Sequence, residues 1–249
     1  MDKSEKFHPE LLRPVEFVNE PDPRSDIYVR IDYETGQTHP IELSDHHGNI
    51  AHIKLHGGVP EDVLIQFETA RNLYLYAWFI YRFYPVSERH ALSTLEYALR
   101  STLGDAYKTD WKEKERTRRE KNPETKKKKY KDPTLFPLLE YAIENNVIKN
   151  EGYSVWHRNV ETRAQERYRM QKLQEMQDKG LKEITYNDKE FEINDEDKNI
   201  DYISMLPEFL SLTRNDYSHG STTLHNLALS TFVIVSETIN QLYSIPAPL

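Results

Sequence analysis

The chain has 249 residues, a net charge of −8 and no Cys. Disulfides, thiolate metal sites and a Cys nucleophile are therefore excluded. Hydrophobic residues make up 37% and charged residues 30% of the sequence, which is typical of a soluble protein. Because no apolar signal segment follows Met1 and no apolar run reaches membrane-spanning length, we expect a cytoplasmic protein that does not enter a membrane.

Residues 1–58 predict an N-terminal arm followed by a small antiparallel β-meander. Four prolines within the first 25 residues favour an extended arm. Apolar and polar residues alternate from Ile27 to Tyr33, which indicates a strand with one buried face. The other elements of the meander are expected at four places: a turn at 34–37, a strand with Ile41 and Leu43, a turn at 45–49 and a strand at 51–55.

Five histidines occur in this region, namely His39, His46, His47, His52 and His56. Imidazole is a common zinc ligand, and His52 and His56 would project from one face of the third strand. The same two residues would also form the polar face of that strand, so a solvated surface is the simpler interpretation. We predict neither a metal site nor a cofactor.

Residues 59–249 predict a mainly helical domain. A first helix is expected from Pro60 to Tyr84, with Pro85 ending it. A second helix has Leu92, Leu95 and Leu99 on its apolar stripe and Glu96 at the edge of the stripe. A carboxylate at that position needs a partner, and two are available: Arg214, or Arg100 one turn away on the same helix.

Residues 106–199 predict an insertion that begins with a basic loop. Segment 108–132 contains twelve Lys and Arg against six Asp and Glu, interleaved with aromatic residues. This pattern suits an RNA backbone with stacked bases, although a solvated charged loop is the alternative. The residues expected to bind RNA are Trp111, Lys126, Lys127, Lys128, Lys129 and Tyr130.

The rest of the insertion predicts a short helix at 136–143, a projecting helix at 154–178 and a hairpin at 184–193. Four arginines on the projecting helix offer a second candidate face for phosphate: Arg158, Arg163, Arg167 and Arg169.

The C-terminal region, 206–242, predicts two apolar helices joined by a polar elbow. The elbow comprises Arg214, Asn215, Asp216, Tyr217, Ser218, His219 and Gly220. It combines a guanidinium that is always charged with an imidazole that titrates near neutral pH. Such a pair could bind a phosphate and transfer a proton next to it.

The Arg and His of this elbow are separated by four residues, and Asn follows the Arg. Together with the Glu96 helix, this motif resembles the HEPN superfamily, whose Arg-x4-6-His motif lies beside the last core helix. The resemblance implies an antiparallel helical bundle and a metal-independent endoribonuclease. It spans roughly residues 60–105 and 200–243 and leaves the insertion unmatched.

The chemistry expected is attack of an RNA 2′-hydroxyl on the adjacent phosphate. His219 would transfer the proton and Arg214 would donate to the non-bridging oxygens, beside Glu96. The resemblance implies that Asn215 positions the phosphate or the imidazole, and Tyr217 and Ser218 are expected to line the pocket. Since one His cannot be base and acid in a single concerted step, we expect a homodimer whose elbows share a cleft.

Two classes of function remain open on the sequence. The first is an endoribonuclease that acts as a toxin or phage-defence effector, with RNA as substrate and a cognate antitoxin as a further partner. The second is a non-catalytic dimeric module that binds a nucleotide, RNA or protein in the same cleft. In that case Arg214 would cap the carbonyl groups of the preceding helix and His219 would support the start of the next.

Overall fold

The computed structural model describes residues 7–187, 190–218 and 224–244, with the backbone alone described at 216–218. Within these ranges the protein is mainly helical and contains one two-stranded antiparallel sheet. The strands are β1 (Val29–Ile31) and β2 (Thr38–Pro40). The α-helices are α1 (Leu43–Ala51), α2 (Glu61–Tyr76), α3 (Phe83–Lys121), α4 (Leu135–Glu144), α5 (Ser154–Asp178), α6 (Leu206–Ser218) and α7 (Ala228–Leu242).

The hydrophobic core is built around the N-terminal half of α3. Leu92, Leu95 and Leu99 are fully buried there, where α2, α4, α6 and α7 pack on the helix. In the same core Phe67 of α2 meets Phe232 of α7 edge-on, with ring centroids 5.9 Å apart. Because α3 has 39 residues, it is about 58 Å long and extends well beyond this core.

The boundary between the first two core helices differs from the prediction. Helix α2 ends at Tyr76, and Pro85 lies in the first turn of α3 instead of ending a helix. Proline is tolerated there because the backbone N–H of the first turn has no intrahelical acceptor. Ala77 and Tyr81, in the turn between α2 and α3, are also buried. The apolar spacing therefore continues through the turn and gives no sign that the first helix has ended.

The predicted β-meander is wrong beyond its first hairpin. Strands β1 and β2 pair with Arg30 opposite His39, and Gly36 adopts a positive φ of 68° in the turn between them. The second strand lies at Thr38–Pro40 and not at Ile41 and Leu43, and the third strand does not form, because 43–51 is helix α1 and 52–55 has no strand partner. The exposed residues of β1 give it no buried face either.

Local capping explains why α1 forms in place of a strand. Glu42 and Asp45 make a capping box, in which the Glu42 backbone N–H donates to Asp45 Oδ2 at 3.0 Å. His46 and Ile50, four residues apart, then form the buried face of the helix. Residues 45–49 therefore belong to a helix, with Asp45 in its first turn, and not to a turn between strands.

The N-terminal arm lies against the turn between α2 and α3. Asp22 is fully buried, its backbone N–H donates to Trp78 O at 2.9 Å, and its carboxylate accepts from the Tyr81 N–H at 3.1 Å. Burial alone would raise the pKa of Asp22, but hydrogen bonds from Arg24 and from backbone N–H groups lower it below its usual value. This network attaches the arm to the core.

The insertion is only partly as expected. Helix α4 and helix α5 form close to their predicted bounds, and only Trp156, Val160 and Ala164 of α5 are buried. The predicted hairpin at 184–193 is wrong where the structure describes it, since 184–187 and 190–193 contain no strand; residues 188 and 189 lie outside the described ranges. The basic segment is not a loop up to residue 121, because it continues α3.

Two of the arginines proposed as a phosphate face on α5 hold the insertion together. Arg163 donates to Asn199 O at 2.9 Å, and Arg167 pairs with the buried Asp197 at 2.8 Å. The pKa of Asp197 is lowered by its hydrogen bonds from Arg167.

In the part of the chain that is described, no helix is both long and apolar enough to cross a membrane.

Candidate functional site

Helix α6 directs Arg214, four residues before its end, at α3. The Arg214 Nη2 lies 3.2 Å from Glu96 Oε2. Leu206 and Leu210 are buried in the core, so the contacts of α6 with α3 and α4 determine where Arg214 lies. The Arg214 side chain is 32% exposed and the Glu96 side chain 11%. The guanidinium is thus held by the core helix while part of it faces solvent.

Glu96 contacts a second arginine as well. Its Oε1 accepts from Arg100 Nη2 at 2.7 Å, and the same nitrogen donates to Pro133 O at 3.0 Å. Both partners that the sequence offered for Glu96 are therefore used together. Because one carboxylate is shared by two guanidinium groups, the cluster of Glu96, Arg100 and Arg214 keeps a net positive charge.

The structure places only part of the predicted elbow, and that part is not a junction, because residues 214–218 continue α6. Asn215 Oδ1 accepts from Arg214 Nη1 at 3.3 Å, on the exposed side of α6. The side chains of Tyr217 and Ser218 are not described, and His219 lies outside the described residues. The roles assigned to these three residues stay predictions.

The chain on the far side of the elbow also contacts α3, through residues that sequence analysis missed. His225 Nε2 lies 3.4 Å from Glu88 Oε2, and the Thr231 hydroxyl of α7 donates to Glu88 Oε1. The Glu88 side chain is only 5% exposed. The sequence does contain one signal for this contact, namely Glu88, a second acid eight residues before Glu96 on roughly the same side of the helix.

The two contacts bracket the elbow. Glu88 and Glu96 lie about 12 Å apart along the α3 axis, since a helix rises about 1.5 Å per residue. Arg214, the first residue of the elbow, and His225, after the elbow, are thereby attached about two turns apart on one helix.

The basic segment folds back along the projecting half of α3. Arg118 donates to Lys126 O at 2.9 Å, the Lys128 N–H donates to Glu115 Oε1 at 2.9 Å, and Arg100 donates to Pro133 O. As the return runs from Lys126 to Pro133, its partners on the helix run back from Arg118 to Arg100. The return is therefore antiparallel to α3. It ends beside the Glu96 cluster.

Glu115 is the buried group that holds this return in place. Its carboxylate takes two hydrogen bonds from Arg118, at 2.7 and 2.8 Å, and one from the Lys128 N–H. The Arg118 hydrogen bonds, with that of Lys128, lower the pKa of Glu115 to about 2. An acid inside a basic segment therefore organises that segment.

A groove of about 510 Å³ lies between the helix and the return. Most of the residues predicted to bind RNA line it, the exception being Lys126; the lining is Trp111, Lys112, Glu115, Arg116, Arg119, Lys127, Lys128, Lys129 and Tyr130. The rings of Trp111 and Tyr130 meet edge-to-face, with centroids 5.3 Å apart. The sequence alone does not place Lys112, Arg116 and Arg119 in a groove, because their position depends on α3 continuing to Lys121.

A scan against protein-family models finds no match, and searches of curated proteins and of solved structures find none either.

The histidine cluster of the N-terminal region is dispersed. His46 is buried in α1, with Nε2 2.9 Å from Tyr74 O and its ring stacked on Tyr74. His56 Nε2 lies 3.0 Å from Asn240 O, so it attaches the chain before α2 to α7. His52 and His56 do not share a strand face, and across the described residues no group of three or more His, Cys, Asp or Glu side chains could hold a metal ion.

Proposed function

We propose that the protein is a metal-independent endoribonuclease of HEPN type, acting as a toxin or phage-defence effector. The observation that carries the proposal is the attachment of Arg214 to Glu96 on the core helix, with a third of the arginine side chain exposed. A fixed guanidinium with solvent-facing surface suits the non-bridging oxygens of a phosphate, and its net positive surroundings favour an RNA chain.

The reaction assigned to this site needs no metal or cofactor. The 2′-oxygen of a ribose forms a bond to phosphorus while the bond from phosphorus to the 5′-oxygen breaks. The 2′-hydroxyl loses its proton to a base, and the leaving oxygen receives one, so the products are a 2′,3′-cyclic phosphate and a 5′-hydroxyl. In this scheme Arg214 stabilises the charge on the phosphorane oxygens and His219 transfers a proton.

A second proton-transfer group is supplied in this proposal by a second copy of the chain. His219 comes five residues after Arg214, which is paired with Glu96 on one face of α3. Two such faces related by a twofold axis would bring two Arg and His pairs to one phosphate. Asn215, hydrogen-bonded to Arg214, contributes to orienting the guanidinium.

The decisive experiment compares cleavage of end-labelled RNA by four proteins in the presence of a chelator. Wild type is expected to cleave and to leave 2′,3′-cyclic phosphate and 5′-hydroxyl ends. Arg214→Ala and His219→Ala should each lower the rate by about 100- to 1000-fold, the usual loss when a group that stabilises the transition state is removed. Arg30→Ala, which removes an exposed arginine of β1, should cleave like wild type.

Three results would contradict the proposal. One is a 3′-phosphate end formed without a cyclic intermediate. Another is a monomer at micromolar concentration in sedimentation, which would exclude the shared cleft. A third is the absence of cleavage by pure wild type on varied RNA, which would favour the non-catalytic dimeric module that binds a nucleotide, RNA or protein partner.

A further inference from the structure

The groove between α3 and residues 126–130 has the features of a prearranged site for a polyanion. Among the described residues, five of its lining cations form no ion pair with a carboxylate: Lys112, Arg119, Lys127, Lys128 and Lys129. The one carboxylate in the lining, Glu115, is occupied by Arg118 and by the Lys128 N–H. The groove is therefore strongly positive although the whole protein is negative.

The walls of the groove fix the backbone that carries these cations. One wall is a continuous helix, and the other is joined to it through Lys126 O and the Lys128 N–H. A solvated charged loop, the alternative left open on the sequence, would lack such contacts. Because the backbone of both walls is already ordered, less conformational entropy is lost when a ligand spans them.

The aromatic pair favours a single strand over a duplex. Trp111 and Tyr130 are half-buried in the groove, and Lys108 Nζ lies 5.5 Å from the centre of the Tyr130 ring. Bases of a duplex are stacked on each other and cannot reach such rings, whereas bases of a single strand can. Cations for the backbone next to rings for bases are the combination that single-strand sites use.

The groove leads towards the elbow. It shares Tyr130 with a recess of about 190 Å³ that also contains Lys108, Arg100 and Pro133. Arg100 and Arg214 share Glu96. Along the α3 axis Trp111 is about 22 Å from Glu96 and Arg119 about 35 Å, so a chain that occupies the groove and reaches Arg214 must be several nucleotides long.

We infer that the groove anchors single-stranded RNA several nucleotides away from the phosphate that Arg214 contacts, so that the protein selects long single strands. The anchoring part stands on the groove itself, and the directional part rests on the proposed function. Since the groove offers cations and rings and the 2′-hydroxyl matters at the elbow, single-stranded DNA of the same length should occupy the groove without being cleaved.

Binding can be tested apart from cleavage with the full chain carrying His219→Ala. Fluorescence anisotropy would follow labelled single-stranded RNA from dinucleotides to about 16 nucleotides, the upper range of site sizes for single-strand binding folds. Affinity is expected to rise steeply once the oligonucleotide spans groove and elbow. Single-stranded DNA should compete, and duplex RNA should bind far more weakly.

Paired variants identify the groove. The plot of log affinity against log salt has a negative slope. K127Q/K129Q should reduce its magnitude by about 1.4, because each contact between a cation and a phosphate of a single strand contributes about 0.7. K179Q/K182Q, which removes the same charge near the end of α5, should leave the slope unchanged. Trp111→Ala should weaken long strands by roughly 5- to 150-fold and dinucleotides hardly at all.

The inference is overturned if K127Q/K129Q binds long strands like the α5 control, if affinity does not depend on length, or if duplex RNA binds as tightly as a single strand. These results are independent of whether wild type cleaves. If wild type cleaves and K127Q/K129Q keeps the wild-type KM for long RNA, the anchor fails while the nuclease stands. If nothing is cleaved but the groove variants lose affinity, the anchor stands without the nuclease.

Discussion

Arg214 Nη2 lies 3.2 Å from Glu96 Oε2, and this ion pair joins the C-terminal half of α6 to the central helix of the core. The same carboxylate is bonded to Arg100, which also reaches the returning basic segment at Pro133. Glu96 therefore connects the elbow and the groove. A change at this residue should affect stability and any activity at the elbow together.

Glu96→Gln should lower the free energy of unfolding by about 1–3 kcal/mol, because the charge-assisted hydrogen bond from Arg100 and the ion pair with Arg214 are weakened in a mostly buried position. Urea denaturation followed by circular dichroism measures the change. The matched control is Glu68→Gln, which breaks the more exposed pair with Arg71 and should cost less than about 0.5 kcal/mol. Equal effects of the two variants would mean that Glu96 does not organise the cluster.

Thr231→Val tests the second contact with α3. The hydroxyl donates to the buried Glu88, so its loss leaves a carboxylate oxygen with one donor fewer and should cost about 1–3 kcal/mol. Thr69→Val removes a hydroxyl that donates only to a carbonyl within α2, and it should be nearly neutral. The urea midpoint of each variant, at an unchanged m-value, measures its loss of stability. Similar shifts for the two variants would contradict the role given to Glu88.

Glu115 should make the folded-back segment sensitive to acid. Its pKa is lowered to about 2 from an ordinary value of 4.5 by the Arg118 and Lys128 hydrogen bonds. A depressed carboxylate pKa stabilises the fold fully above the ordinary value, and that contribution is lost as pH falls towards the folded pKa. We therefore expect the Lys128 amide to lose protection from hydrogen exchange as the pH is lowered from about 4.5 to about 2, after correction for intrinsic exchange rates.

The corresponding variant is Glu115→Gln, which should speed exchange at the Lys128 amide at neutral pH. Glu113→Gln is the control, since Glu113 pairs only with the exposed Arg116 and should leave that amide protected. Unchanged protection in Glu115→Gln would refute the proposed attachment.

Phe232→Ala should be among the most destabilising single changes in the chain. The ring is fully buried and meets Phe67 and Tyr74 of α2 edge-on, so its removal leaves a cavity and should cost about 3–5 kcal/mol. Leu12→Ala removes a side chain that is 98% exposed and should change the unfolding free energy by less than about 0.5 kcal/mol. Thermal or urea unfolding of the pair distinguishes core packing from a general effect of truncation.

The core helices could be predicted because their signal is local. Apolar residues three and four apart identify the buried face of α3, and α4 and α5 begin and end close to where the pattern does. Pro85 was misjudged because proline suits both the end of one helix and the first turn of the next. The residues around Asp45 were misjudged for a similar reason, since the same polar types occur in turns and in helix caps.

Composition alone established that the protein has no thiol chemistry and a concentrated basic segment, and the spacing of apolar residues established that most of it is helical. The sequence also singled out Arg214 and offered Glu96 two partners. Only the tertiary structure decided that both partners are used, that Glu88 supports the other side of the elbow, and that the basic residues form a groove. These outcomes depend on which elements pack together, and contacts between distant parts of a chain leave no periodic signal in its sequence.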